Sequence, residues 1–213
     1  MKFIMLAGVE GSGHGLVRSV FENFFKLPTV IDQGNWHYPL TQIWDCHNNT
    51  SNIKNNINLV QEHLAYYRNQ GVQYCFDSAS FPFGQPRDTL RRPNLLLLHN
   101  ILNEINIEFK PIFITRHLIK AIYSGYRRGF TDNIRLQAKI IYDNACWLRH
   151  QQNILKHIEI KFEEMIIHPY QIVLEIAQFL NCLPSIFEQS VDNISPTNVI
   201  VPEYIRQEIN DII

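Results

Sequence analysis

The sequence has no run of about 18 apolar residues that could cross a membrane, and it does not open with a basic segment followed by an apolar leader. It also lacks an excess of charge of either sign, since 19 basic and 20 acidic side chains leave a net charge of -1. That balance excludes a general attraction to nucleic acid or to a membrane surface. We therefore expect a cytoplasmic protein with no nucleic-acid partner and no membrane span, in which an anion site is built from a few local basic groups.

Cysteine is sparse, and its spacing excludes the common cysteine-based sites. The sequence has neither a CxxC pair nor the cysteine and histidine spacing of a zinc site. Free, buried thiols are favoured over disulfides for cysteines in apolar or helical surroundings. The sequence thus predicts no disulfide and no metal ligands among Cys46, Cys75, Cys146 and Cys182.

Short apolar segments alternate with amphipathic ones along the chain. The first, KFIML, is apolar enough for a strand buried on both faces of a parallel sheet. Alternation of strand and helix favours a three-layer α/β/α fold with a central parallel sheet, and ligands then bind beyond the carboxyl ends of the strands. We expect one domain over residues 1–213. The predicted strands cover residues 2–6, 28–31, 72–76, 110–115 and 157–162, and the predicted helices cover residues 16–25, 53–69, 94–106, 118–128, 133–155, 169–180 and 203–213.

A glycine-rich turn, GVEGSGHG, follows the first strand. Glycines let backbone N–H groups point at an anion, and the N-terminus of the next helix adds partial positive charge. Gly8 and Gly13 have the spacing of the GxxxxGK[ST] loop of ATP-hydrolysing proteins, but His14 replaces its lysine and Gly15 replaces its Mg²⁺-binding hydroxyl. The loop is therefore poorly equipped for phosphoryl transfer, and transfer of a less charged sulfuryl group suits it better.

The same turn resembles the phosphosulfate-binding loop of sulfotransferases that use 3′-phosphoadenosine 5′-phosphosulfate (PAPS), whose pattern is approximately G-x-P-[KR]-S-G-T-T. Ser12 and Gly13 match the Ser-Gly pair of that pattern, whereas Gly11 replaces its basic residue and His14 replaces its first Thr. The resemblance implies that the loop binds the 5′-phosphosulfate and that His14 supplies the missing donor. The loop residues implied in binding are Gly11, Ser12, Gly13, His14, Gly15 and Leu16.

Two later segments resemble the same family in the same chain order. PIFITRHLIKAIYSGYRR has an arginine after a strand and a serine eight residues later, which implies that Arg116 and Ser124 bind the 3′-phosphate of the cofactor. Eight residues are a little over two helical turns, so the serine can lie near the face that the arginine overlooks. In IKFEEMIIHPYQIVLEIAQFLNCLP, Phe162 takes the aromatic position that borders the adenine in the family.

Sulfuryl transfer to a hydroxyl needs a base to accept the proton. The segment YCFDSASFPFG, aligned with the K-T-H-x-P segment of the family, puts Ser80 at the position of the catalytic histidine. Asp77, expected at the carboxyl edge of a strand, is the first candidate base, and His37 is the alternative. Glu10 is the third candidate, but a carboxylate beside a phosphosulfate is unfavourable, so Glu10 is expected to point away or to bind a neighbouring cation.

The resemblance implies a P-loop-like sulfotransferase fold and an enzyme that moves a sulfuryl group from PAPS to a hydroxyl or amine, with adenosine 3′,5′-bisphosphate as product and no metal. The acceptor is unidentified, and a carbohydrate is one candidate. Two rivals are a kinase relative in which His14 clamps a phosphate and a catalytically inactive protein that keeps the fold and binds nucleotide. Five further arginines are expected on solvated faces, although such a basic rim would suit an anionic acceptor: Arg87, Arg91, Arg92, Arg127 and Arg128.

Overall fold

The computed structural model describes residues 1–24, 53–81, 94–183 and 199–213. The predicted strand over residues 28–31 lies outside these ranges. The described strands are β1 (Lys2–Val9), β2 (Tyr74–Phe81), β3 (Glu108–Thr115) and β4 (Ile158–Lys161). The described helices are α1 (His14–Phe24), α2 (Ile53–Asn69), α3 (Leu95–Glu104), α4 (Leu118–Arg127), α5 (Ile134–Gln152), α6 (Phe162–Ile167), α7 (Pro169–Leu180) and α8 (Glu203–Asn210).

The four described strands form one parallel sheet in the order β2-β1-β3-β4. β1 pairs with β2 along its whole length, from Lys2 opposite Tyr74 to Val9 opposite Phe81, and it pairs with β3 on its other side. The predicted parallel sheet is therefore confirmed. Since all four strands run the same way, their carboxyl ends share one edge, and the segments that carry the predicted site residues follow at that edge.

Helices cover both faces of the sheet, because the apolar run of β1 leaves no polar face for water. Phe3 and Met5 belong to one core, which includes side chains of α2, α3, α4, α5 and α8. Ile4 and Leu6 belong to a second core with side chains of α1, α6 and α7. Successive residues of a strand point to opposite faces, so the two cores lie on the two sides of the sheet. The three-layer α/β/α prediction is confirmed, and the single-domain prediction stays a prediction.

Asparagines mark the boundaries of three helices. Asn94 accepts a hydrogen bond from the Leu97 N–H at 2.9 Å at the start of α3. Asn133 does the same for the first turn of α5, with acceptor contacts to two N–H groups. Asn181 ends α7 in the left-handed region at a φ of 53°. Asn is favoured at these positions because its short amide bonds to nearby backbone and tolerates positive φ.

Three strand ends differ from the predictions, and the first is that of β1, which continues three residues past its predicted end at Leu6. β2 continues five residues past the predicted end at Phe76, because residues 77–81 keep their pairing with β1 despite their polar composition. The expected position of Asp77 at the carboxyl edge of a strand is therefore wrong, since Asp77 lies in the middle of β2. β4 ends one residue before its prediction, because Phe162 already begins helix α6.

Within the described part of the chain, no helix combines the length and the apolar character needed to cross a bilayer. The three described cysteines are free, as predicted: Cys75 is buried, Cys182 is partly exposed and Cys146 is exposed rather than buried. Burial raises the pKa of Cys75 to about 12, so that thiol stays protonated.

Candidate functional site

Two glycines with positive φ shape the turn between β1 and α1. Gly11 has a φ of 84° and Gly13 a φ of 91°, values that residues with side chains rarely adopt. The Ser12 N–H donates to the Val9 carbonyl at 3.1 Å, which closes the turn. Helix α1 begins at His14, so the positive end of its dipole lies beside the turn.

Gly11 has no room for a side chain. A Cβ at this position would lie 2.1 Å from the backbone oxygen of Ala121 in α4. The Gly11 carbonyl also accepts a hydrogen bond from Arg116 Nη1 at 2.9 Å. The close approach of α4 explains why this position holds glycine, whereas the sulfotransferase pattern that the loop resembles has a basic residue there. Positive charge beside the loop must therefore come from other residues.

Phe162 packs against both the loop and the strand-end arginine. A Cβ on Gly13 would lie 2.0 Å from Cδ2 of Phe162. The guanidinium carbon of Arg116 lies 4.4 Å from the centre of the same ring. Phe162 is buried, and a guanidinium stacked on an aromatic face is held in orientation. The ring therefore joins the loop to Arg116 at one wall of the site.

Ser124 meets a second arginine rather than Arg116. Its Oγ accepts a hydrogen bond from Arg128 Nη2 at 3.1 Å. Ser124 is buried, whereas Arg127 and Arg128 are exposed. Sequence reasoning placed these two arginines on a solvated face and missed the contact, although a spacing of four residues at the end of one helix puts Ser124 and Arg128 on one side.

A cavity of about 970 Å³ lies at the carboxyl edge of the sheet and brings these elements together. Four arginines and one carboxylate line it, so its local charge is positive although the chain carries a net charge of -1. Within the described ranges, no carboxylate forms an ion pair with Arg116, Arg127 or Arg128. Such a cavity attracts anions. Its lining residues are Glu10, Gly11, Gly13, His14, Gly15, Leu16, Arg18, Ser80, Arg116, Ser124, Arg127, Arg128, Phe162 and Val199.

His14 lines this cavity, but its ring nitrogens do not reach it. The residue is partly exposed, yet both nitrogens are buried and lack a hydrogen-bond partner among the described residues. Burial, aided by the charge of Arg18, lowers the pKa of His14 to about 3. The imidazole is neutral near pH 7, and the ring must turn before it can donate a hydrogen bond to an anion in the cavity.

Two residues of the predicted site do not line the cavity. Ser12 is fully buried, and its hydroxyl has no hydrogen-bond partner in the described part of the chain. Asp77 is fully buried in β2, where its Oδ1 accepts from the Ser78 N–H at 2.7 Å. Burial raises the pKa of Asp77 to about 7, against the opposing effects of that hydrogen bond and of Arg18. The binding role of Ser12 and the catalytic role of Asp77 stay predictions.

Glu10 lines the cavity rather than pointing away from it, and the alternative expectation that it binds a neighbouring cation stays a prediction. Ser80 Oγ donates a hydrogen bond to Glu10 Oε1 at 2.8 Å. The Glu10 N–H donates to the Phe81 carbonyl at 2.8 Å, which ties the start of the loop to the end of β2. The structure thereby places a carboxylate beside the residue that aligns with the catalytic histidine of the resembling family.

The cavity brings together eight of the nine residues predicted to bind the cofactor, and the exception is Ser12. Binding by these residues stays a prediction. Four other residues considered from the sequence lie outside the described ranges: His37, Arg87, Arg91 and Arg92.

Several solved structures share this fold with the chain. The sulfotransferase domain from the Synechococcus PCC 7002 olefin synthase is 13% identical, with a TM-score of 0.54 over 99% of this chain and 94% of that chain. The sulfotransferase domain from the curacin biosynthetic pathway is 14% identical, with a TM-score of 0.55 over 92% of this chain and 78% of that chain. Mouse sulfotransferase SULT7A1, complexed with PAP, is 13% identical, with a TM-score of 0.52 over 91% of this chain and 65% of that chain. No family model and no curated protein matches.

At such low identity the similarity shows the fold alone. The chain has a mixed α/β fold in which an all-parallel sheet lies between helices, as in these sulfotransferase domains. The chemistry must be argued from the cavity itself.

Proposed function

We propose that this protein is a sulfotransferase that moves a sulfuryl group from PAPS to a hydroxyl or amine of an acceptor. One observation carries the proposal: a single cationic cavity connects a glycine loop at a helix N-terminus with a second group of anion-binding side chains, Arg116 and Ser124. PAPS carries a 5′-phosphosulfate at one end and a 3′-phosphate at the other. A ligand with two separated anionic groups suits such a cavity better than a ligand with one.

The proposed donor site has two parts, and both line this cavity. The loop and the first turn of α1, from Gly11 to Leu16, bind the 5′-phosphosulfate through backbone N–H groups and the helix dipole. Arg116 and Ser124 bind the 3′-phosphate, and Phe162 borders the adenine. Since Gly11 has no room for a basic side chain, Arg18 supplies positive charge at the loop end.

In the proposed reaction, an acceptor oxygen attacks sulfur. The new O–S bond forms as the bond between sulfur and the bridging phosphate oxygen breaks, and adenosine 3′,5′-bisphosphate leaves. Donors of the loop and the arginines stabilise the charge on the leaving phosphate. No step of this proposal uses a metal ion.

We propose Glu10 as the base that takes the proton of the acceptor. Glu10 lines the cavity, and the Ser80 hydroxyl orients its carboxylate at 2.8 Å. Asp77 is enclosed in mid-strand, and His14 is a weak base while its ring stays buried. A carboxylate at the cavity wall is the better-placed proton acceptor.

A catalytically inactive nucleotide-binding protein is the second candidate. The observation that favours it is the loop itself, because Gly11 offers no side chain and the His14 nitrogens are enclosed. Such a protein would bind adenosine 3′,5′-bisphosphate but would release none from PAPS with any acceptor. Mg²⁺-dependent ATP turnover would instead support a kinase relative.

Calorimetry with adenosine 3′,5′-bisphosphate and AMP tests the donor site. We expect the bisphosphate to bind more tightly than AMP, and Arg116→Ala to weaken it, whereas the exposed Arg135→Ala on α5 leaves the affinity unchanged. Equal affinity for the two nucleotides in the wild-type protein contradicts the proposal.

Release of the bisphosphate from PAPS, measured with a panel of phenols, amines and sugars, tests the base. Glu10→Gln is expected to abolish acceptor-dependent release and to leave nucleotide binding intact. Full activity of this variant contradicts the assignment of Glu10.

A further inference from the structure

No hydrogen bond joins Arg116 and Ser124, the two described side chains assigned to the 3′-phosphate. Arg116 donates from Nη1 to the Gly11 carbonyl at 2.9 Å and stacks 4.4 Å from the centre of the Phe162 ring. Its Nε is buried and has no hydrogen-bond partner among the described residues. Arg116 thus uses one of its five N–H donors on the loop carbonyl, and its other donors have no hydrogen bond among the described residues.

Arg128 is instead the arginine that approaches Ser124. The two residues are four positions apart at the end of α4, and Arg128 Nη2 donates to Ser124 Oγ at 3.1 Å. Because the serine oxygen accepts this bond, the serine proton stays available to donate to a ligand. The end of the helix is held by hydrogen bonds from Gly129 N–H to the Tyr126 carbonyl and from Phe130 N–H to the Gly125 carbonyl, so the backbone at Arg128 is fixed.

The charges around Ser124 lack a counter-charge in the described structure. Arg116, Arg127 and Arg128 line the same cavity, and no described carboxylate forms an ion pair with any of them. Burial lowers the pKa of Arg116, and the charge of Arg128 lowers it further against the influence of Glu163. An anion bound among these arginines would relieve their mutual repulsion.

We infer that Arg128, together with the Ser124 hydroxyl and beside Arg116, is a direct contact of a phosphate monoester dianion in this cavity. The inference rests on the proposed function, since it names the residue that recognises the 3′-phosphate of the donor. A forked guanidinium beside a hydroxyl donor suits a doubly charged phosphate better than a neutral ribose hydroxyl. Arg128 is thus a specificity-determining residue.

The test compares adenosine 3′,5′-bisphosphate with AMP, which lacks only the 3′-phosphate. Both are titrated calorimetrically into the wild-type protein, Arg128→Gln, Arg128→Lys and the control Arg135→Gln, whose side chain is exposed and outside the cavity. Loss of the contact is expected to weaken the bisphosphate about tenfold, as for one exposed charged hydrogen bond, and to leave AMP unchanged. Arg128→Lys should fall between wild type and Arg128→Gln, because lysine keeps the charge without the fork.

The outcomes separate this inference from the proposed function. If wild-type protein prefers the bisphosphate and Arg128→Gln loses that preference while the control keeps it, the inference holds. If Arg128→Gln keeps the full preference, or weakens both nucleotides equally, the inference is overturned and the proposed function stands. If the wild-type protein shows no preference for the bisphosphate, the proposed function fails, and the role of Arg128 fails with it.

Discussion

The glycine loop and the end of helix α4 face one cavity but present different kinds of groups to it. The loop presents backbone groups to the cavity and has no room for added atoms, since a Cβ on Gly11 or Gly13 would overlap Ala121 or Phe162. At the end of α4 the groups are charged side chains, and Arg127 and Arg128 are exposed. Steric limits therefore determine which residues the loop can hold, whereas the end of α4 is characterised by its exposed positive charges. Stability should respond to changes in the loop, and affinity for anions should respond to changes at α4.

The largest expected effect is that of Gly11→Ala on stability. The strain of a positive φ and the contact with Ala121 together are expected to lower the free energy of unfolding by about 3 kcal/mol or more, measured by urea denaturation. Gly71→Ala is the control for backbone strain alone, because Gly71 has a φ of 78° but open space around its Cβ; it should cost about 1–2 kcal/mol. Equal losses in the two variants would show that the contact with Ala121 is unimportant.

Because the imidazole of His14 is buried beside the loop, we expect the free energy of unfolding to depend on pH through this residue. The pKa of His14 is lowered to about 3, so the unfolded chain binds the proton more readily between pH 6.5 and pH 3. The stability of wild type relative to His14→Asn should therefore be greatest above pH 6.5 and should fall by about 1.4 kcal/mol per pH unit as the pH drops through that window.

Urea denaturation of both proteins at pH 7 and pH 5 measures this difference. The raised pKa of Asp77 acts in the opposite direction, since it removes stability as pH rises from 3.8 to about 7, but it is present in both proteins and cancels. A difference that does not change with pH would mean that the His14 ring is hydrated or partnered in solution.

Arg116 bonds to the Gly11 carbonyl and lines the same cavity as the end of α4, and Arg116→Lys tests its role in anion binding. Lysine keeps the charge but loses the flat stacking on Phe162 and the forked donors, so the bisphosphate should bind about tenfold more weakly. Calorimetry measures the loss, and Arg135→Lys serves as the matched control. Unchanged affinity would show that charge alone matters at this position.

The smallest effect is expected for Arg127→Gln. Arg127 lines the cavity, but its guanidinium lies 6.0 Å from the Tyr123 ring centre, and the described hydrogen bond to Ser124 comes from Arg128. Loss of a screened, exposed charge should weaken the bisphosphate less than about threefold at physiological salt. A loss as large as that of Arg128→Gln would mean that the end of α4 acts by total charge rather than by a specific contact.

Local pattern predicted much of the fold and most of the residues that line the cavity. The apolar run of β1 predicted a strand buried on both faces, and the two cores confirm it. The sequence motifs also identified the loop glycines, Arg116, Ser124 and Phe162 as site residues, and the structure brings them to one cavity. The predicted end of β2 was wrong, because pairing with β1, rather than their own strand propensity, holds the polar residues after Phe76 in the strand. The predicted position of Asp77 at the edge of the strand was wrong for the same reason.

The sequence by itself determined the alternation of strands and helices and the turn chemistry of the glycine loop, because both follow from periodicity and from backbone freedom at single residues. Tertiary structure alone decided which charges face the cavity. Position 11 has no side chain because α4 lies against it. Glu10 bonds to Ser80 because the loop is hydrogen-bonded to the end of β2. Arg128 bonds to Ser124 because backbone hydrogen bonds hold the end of α4 in place. The contacts of Gly11 with α4 and of Glu10 with Ser80 join distant segments of the chain, and spacing along the sequence does not give the distance between such segments. The contact of Arg128 with Ser124 is local, and the tertiary structure decided only that this pair faces the cavity.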